Sequence, residues 1–130
     1  MQGHRGLRVY QLAYKLAMDI FQISKGLPRE ERYALTDQIR RSSRSVAANI
    51  VEGYRKRQYL NVLVSKLADA DGEAGETQVW LDFARDCGYV SVEAHDELVA
   101  GFQEVGQMLG SMMSAPDKFA IHYSERDGRK

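Results

Sequence analysis

The sequence holds one cysteine, Cys87, and two prolines, Pro28 and Pro116. A lone cysteine forms no internal disulfide and starts no zinc site, which excludes a disulfide scaffold or a cysteine-ligated metal domain and points to a reducing compartment. No apolar run approaches the ~20 residues of a membrane span. The N-terminal stretch MQGHRGLRVYQLAYKLAMDIF is interrupted by Arg8, Gln11, Lys15 and Asp19, so it lacks the apolar centre of a secretory signal. A cytoplasmic protein with no membrane contact is expected. Net charge is missing as well, because 18 Lys/Arg balance 18 Asp/Glu, which argues against unselective polyanion binding by the whole surface. There is no Gly-x-Ser-x-Gly elbow, no glycine loop that would cradle phosphate and no paired nucleophile and base, so neither an enzyme nor a cofactor is expected. His4, His95 and His122 are scattered and no Glu-x-x-His motif occurs, so no metal centre is expected.

What the chain does have is helical rhythm. Its 130 residues fit one domain, and 44% hydrophobic content is enough for a core. Four segments place apolar or small residues three and four apart, the spacing that keeps one seam of a helix turned inward. The first series is Val9, Ala13, Leu16, Ile20, Ile23 and Leu27. The second is Leu35, Ile39, Ser43, Val46, Ile50 and Gly53. The third is Leu60, Leu63, Leu67, Ala70, Ala74, Thr77, Leu81 and Ala84. The fourth is Leu98, Phe102, Val105, Leu109 and Met112. No segment alternates as a strand would. The expected fold is all-α, an antiparallel up-down-up-down four-helix bundle over 1–114 with a flexible C-terminal tail over 115–130.

The breaks have their own chemistry. Gly26 is expected to end the first helix in a left-handed conformation, with Pro28 in the first turn of the second. Gly88 should close the third, and Ser91 should cap the fourth. The break near Arg55 to Gln58 has no proline, so its position is open by several residues. The second and third helices each read as about 25 residues, or about 35–40 Å, long enough that packing between subunits is expected.

Charge is divided along the chain: residues 1–67 carry 13 Lys/Arg and 5 Asp/Glu, and residues 68–130 carry 5 and 13. The basic half centres on QIRRSSRSVAANIVEGYRKRQ. On a wheel of about 100° per residue, Ile39, Val46 and Ile50 face one way and become the core. Arg40, Arg41, Arg44 and Arg55 fall within one arc away from it, and Lys56 and Arg57 follow. These six are the candidate phosphate contacts for RNA or DNA. The remaining arc holds Ser42, Ser45 and Asn49, small polar residues that let another helix approach; Ser45 and Asn49 are the candidate subunit interface. The same arginines also have ordinary partners within reach, Asp37 for Arg41 and Glu52 for Arg55 and Lys56, in pairs worth ~0.2–0.5 kcal/mol. Nothing in the stretch reads base sequence. Three roles therefore stand side by side: nucleic-acid contact, subunit salt bridges and solvated local pairs. Asp69, Asp71, Glu73 and Glu76 read as a solvated or interface face.

The combination YALTDQIRRSSRSVAANIVEGYRKR with ETQVWLDFARDCGYVS resembles the 23S rRNA intervening-sequence proteins, a four-helix-bundle family that includes the accessory variability proteins of diversity-generating retroelements. The matching positions are Gln38, Arg40, Arg41, Ser45, Val46, Asn49, Ile50, Glu52 and Gly53, and the resemblance runs from about Val9 to Met113. It implies an antiparallel bundle assembled as a ring-shaped homopentamer. For the retroelement branch it also implies a basic surface that binds nucleic acid and a reverse transcriptase. An alternative function is a scaffold whose charged faces drive self-assembly and partner docking.

Overall fold

The four apolar series become four helices: α1 (Arg8–Ser24), α2 (Asp37–Arg55), α3 (Leu60–Asp86) and α4 (Val92–Ser114). They are seen in a computed structural model that describes residues 3–119, and no strand occurs among the described residues. Consecutive helices pack side by side and α1 closes against α4, giving an antiparallel up-down-up-down bundle.

Its core is built from the periodic positions. Ala13, Ile20, Ile39, Val46, Ile50, Leu63, Leu67, Leu81, Phe102, Val105 and Leu109 are buried in one cluster. Ile23, Leu27 and Leu60, at the ends of their series, are half-buried. Met112 is buried, and Met108 and Met113 pack on the cluster from its edge, where flexible thioethers fill irregular gaps. The core also carries polar groups. Ser42 and Thr77 are fully buried between α2 and α3, with their hydroxyl oxygens 2.8 Å apart. Thr77 Oγ1 also donates to the Glu73 carbonyl at 2.9 Å, so Ser42 serves as donor to Thr77.

The connections are short. α3 ends in a left-handed Gly88 (φ +77°), with Tyr89 N–H on the Ala84 carbonyl at 2.8 Å and Gly88 N–H on that of Arg85 at 2.9 Å. This is a Schellman arrangement, and it closes the helix at the glycine expected to end it. Ser91 Oγ accepts the Ala94 amide at 3.0 Å and caps α4. Gly26 departs from expectation. Lys25, Gly26 and Leu27 each bond back to a carbonyl three residues earlier, and this tightened turn delivers the chain to Pro28 without a positive φ. The second helix is also shorter than expected. Arg29–Glu31 forms a 3₁₀ turn and Arg32–Thr36 a π-type turn, so regular α-helix begins only at Asp37 and spans 19 residues, against 27 in α3.

The turn after α2 is tight because Gly53 lets α3 come close: a Cβ there would meet Lys66 Cβ at 3.0 Å and the Leu63 carbonyl at 3.3 Å. At the other end, Tyr89 donates to Glu31 at 2.9 Å, tying the α3–α4 turn to the α1–α2 connection. That bond to a carboxylate, with some burial, pushes the phenol up to about 12. Within the stretch expected as a tail, Pro116–Phe119 forms a 3₁₀ turn and Phe119 packs on the core cluster. The rest of that stretch, with His122, lies outside the described residues.

Candidate nucleic-acid interface

The six candidate cations of the second helix do not form one stripe. Successive residues of a helix sit about 100° apart, and the neighbours on either side draw the long side chains further apart. Arg40 turns toward α1, where its Nε donates to Ser24 Oγ at 2.7 Å and its guanidinium lies 4.8 Å from the Phe21 ring centroid. Arg44 follows it, 5.7 Å from the same centroid. Arg41 turns the other way, toward α3, with Nη2 at 3.4 Å from Glu76 and 3.3 Å from Gln38 rather than on Asp37. Arg57 folds back over the end of α2: its Nη1 donates to the Tyr54 carbonyl at 2.9 Å and its guanidinium lies 3.9 Å from the Tyr54 ring centroid. Arg55 and Lys56 are exposed and in no ion pair among the described residues.

Ser45 and Asn49 meet partners within the chain. Ser45 Oγ donates to Glu73 of α3 at 3.0 Å, and Asn49 Nδ2 donates to the Ser45 carbonyl at 2.9 Å and hydroxyl at 3.1 Å. The expected close helix contact is therefore the α2–α3 seam of one molecule, and Asn49 bonds along its own helix instead of across it. Glu52 pairs with Lys66 of α3 at 3.4 Å, not with Arg55 or Lys56. Trp80 Nε1 shares Glu76 with Arg41, at 3.1 Å. Part of the division between a basic and an acidic half is thus met inside one chain, across this seam.

The side chains that complete the basic end of α2 come from the end of α1, Phe21 and the capping residue Lys25, neither of which belongs to the apolar series or the basic stretch. Lys25 Nζ lies 4.9 Å from the Phe21 centroid, so three cations surround one ring. A cation over an aromatic face gains ~0.5–1 kcal/mol at exposed sites, which holds each in place. None of the three is in an ion pair among the described residues. From this end an apolar groove of about 510 Å³ runs between α1 and α2, lined by Tyr10, Tyr14, Ala17 and Met18 on one side and Arg44, Ala47, Ala48 and Val51 on the other. Tyr14 is 53% exposed and Met18 44%. The available signal was the aromatic and methionine positions of the first helix that fall off its core rhythm.

A second group of titratable residues lies at the same end of the bundle, between the end of α3 and the start of α4. His95 is only 5% exposed, and its Nε2 lies 2.7 Å from Asp82 and its Nδ1 2.8 Å from Asp96. An imidazolium is the form of the ring that donates to both carboxylates at once. The bonds to Asp82 and Asp96 raise its pKa, opposed by burial and by Arg85. Cys87 is exposed at the rim of a smaller groove beside Trp80 and Phe83. Among the described residues no cluster of His, Cys, Asp or Glu is arranged to hold a metal ion. No helix among them is long and apolar enough to cross a membrane.

The family model described as 23S rRNA-intervening sequence protein matches residues 5–111, most of the chain and all four helices but the last residues of α4. The chain belongs to this family. A crystal structure of a protein of unknown function from Bacteroides thetaiotaomicron, of the S23 ribosomal protein family, superposes with a TM-score of 0.74 at 28% identity, covering 81% of this chain and 97% of that one. The bundle is therefore that of the S23 proteins. No curated protein matches the chain.

Proposed function

We propose that the chain is a non-catalytic nucleic-acid-binding protein that contacts phosphates through the α1–α2 face of its bundle. The observation that carries this reading is the group Lys25, Arg40 and Arg44, three cations around Phe21 with no carboxylate paired to any of them among the described residues. Each lies within 5.7 Å of the same centroid, so no two are farther apart than twice that distance, which is of the order of the ~8–10 Å Debye length at physiological salt. Their repulsion is only partly screened, and no ion pair among the described residues offsets it, so the cluster favours an anion. Arg55 and Lys56 extend the basic surface at the other end of α2, while Arg41 and Arg57 are committed to Glu76 and Tyr54. The family's description, which names an rRNA insertion, agrees with RNA as ligand. A single exposed cysteine suits the reducing cytoplasm. A gel-shift titration with RNA tests the reading: Arg40→Gln with Arg44→Gln should weaken binding markedly and Arg57→Gln hardly at all. Equal affinity for all three proteins would refute it.

A second role, self-assembly or protein docking, is favoured by a different observation. Phe83, exposed on α3, borders with Trp80, Ala34 and Leu35 an apolar groove of about 390 Å³, and Val79 is exposed on the same helix. This face is proposed to join copies head-to-tail into a ring, with five the number that the resemblance implies, and to leave the α1–α2 face open for nucleic acid. A reverse transcriptase is the protein partner implied for the retroelement branch. Light scattering should give about five times the 14.7 kDa chain mass, and Phe83→Ser should lower it; a wild-type monomer at micromolar concentration would end the ring reading.

A further inference from the structure

We infer that the α1–α2 groove takes a single strand rather than a duplex, with a phosphate held by Lys25, Arg40 and Arg44 and bases laid against Tyr14 and Met18. This rests on the proposed nucleic-acid function and specifies the form of its ligand. The donors at the cationic end are free for it. Arg40 spends only Nε on Ser24, which leaves its two terminal nitrogens, while the Arg44 and Lys25 side chains donate to no protein acceptor among the described residues. An anion entering there replaces like-charge repulsion with charge-assisted hydrogen bonds.

The groove beyond that end decides between strand and duplex. A duplex presents phosphates and base edges, and offers nothing to an apolar floor. A single strand presents base faces, which stack on aromatic side chains whatever the sequence. Here the floor is Ala17, Ala47, Ala48 and Val51, and the wall is Tyr14 and Met18, both open to solvent. Tyr10 supports Tyr14, their rings 6.0 Å apart. From Phe21 to Tyr14 is seven residues of one helix, ~10 Å at 1.5 Å each, room for two or three nucleotides at ~3.4 Å spacing. The groove volume of about 510 Å³ falls in the range of ~300–1,000 Å³ typical of small-molecule pockets. Cations at one end and aromatic carbon along the rest match a ligand that is itself anionic at its backbone and flat and apolar at its bases.

The test is fluorescence anisotropy with one labelled oligonucleotide, measured alone and annealed to its complement, against wild type and three variants whose folding is checked by circular dichroism. Tyr14→Ala should weaken single-strand binding roughly tenfold, the loss of one stacked base, and leave duplex binding unchanged. Lys25→Gln should weaken both. Arg55→Gln with Lys56→Gln should lower single-strand affinity less than Tyr14→Ala does. If wild type binds, and Tyr14→Ala and Lys25→Gln bind as wild type does while the Arg55 and Lys56 change abolishes binding, the groove inference falls and the broader nucleic-acid reading stands. If wild type binds neither form, both fall. A second copy of the chain is the rival occupant: Tyr14→Ala converting an oligomer to a monomer in light scattering, with affinity intact, would assign the groove to self-association and overturn the proposal.

Discussion

Arg40 is held by Ser24: its Nε donates to a serine oxygen 2.7 Å away, and that serine is 3% exposed and donates in turn to the Phe21 carbonyl at 2.8 Å. The last turn of α1 therefore positions a cation of α2, and the Phe21 ring beneath it keeps the guanidinium facing outward. Ser24→Ala should cost ~0.5–1.5 kcal/mol, the net worth of one hydrogen bond, read as a lower midpoint in urea unfolding. It should also weaken RNA binding by less than Arg40→Gln does, since the charge remains. An affinity equal to wild type would show that orientation of Arg40 is unimportant.

The buried Ser42–Thr77 pair gives a thermodynamic cycle. Thr77→Val keeps the shape and removes the acceptor for Ser42, at a cost of ~1–3 kcal/mol. Ser42 has the Ile39 carbonyl at 3.5 Å as a poor alternative, so the lower end of that range is expected. Adding Ser42→Ala to Thr77→Val should recover part of the loss, because no hydroxyl is then left unpaired. Strict additivity in denaturant midpoints would mean the two hydroxyls are not coupled.

How much of this was legible differs between core and surface. Every residue of the second series, from Leu35 to Gly53, is buried, because burial follows from helical period alone. Ser42 and His95 were not assigned to the core, since a polar residue gives no sign of burial until its partner is known, and Thr77 and Asp82 are 35 and 13 residues away. The surface arginines were legible as a cluster but not as two groups. Which way Arg40 and Arg41 turn is decided by Phe21 and Glu76, whose places beside α2 exist only after the bundle forms. The apolar groove was illegible for the same reason, because half of its lining comes from each of two helices.

His95 makes stability depend on pH. Its folded pKa is raised by Asp82 and Asp96, so its contribution is fully present below the unfolded value of about 6.5 and is lost as pH rises through the higher folded value. Asp82, Arg85 and Asp86 face it from α3 and Asp96 from its own helix. Melting temperature should therefore fall on the alkaline side of about pH 6.5, and His95→Gln should remove that part of the dependence. A wild-type profile that coincides with that of the variant across this range would contradict the imidazolium.

Gly88 carries a backbone requirement. Its φ of +77° closes α3, and an L side chain in that region costs about 1–2 kcal/mol. Nothing lies within 4 Å of where a Cβ would stand, so Gly88→Ala measures conformational strain without a clash. A destabilisation of that size in urea is expected; none at all would mean the turn relaxes to another conformation.

The central claim is that unpaired cations beside Phe21 bind phosphate, and the salt dependence of RNA affinity measures it most directly. Counterion release gives a log–log slope of about −0.7 for each phosphate neutralised on a single strand. Wild type should lose affinity steeply as salt rises, and Arg40→Gln with Arg44→Gln should flatten the slope by about 0.7 per charge removed while melting as a folded bundle. A wild-type affinity independent of salt, or a slope unchanged in the double variant, would contradict the account.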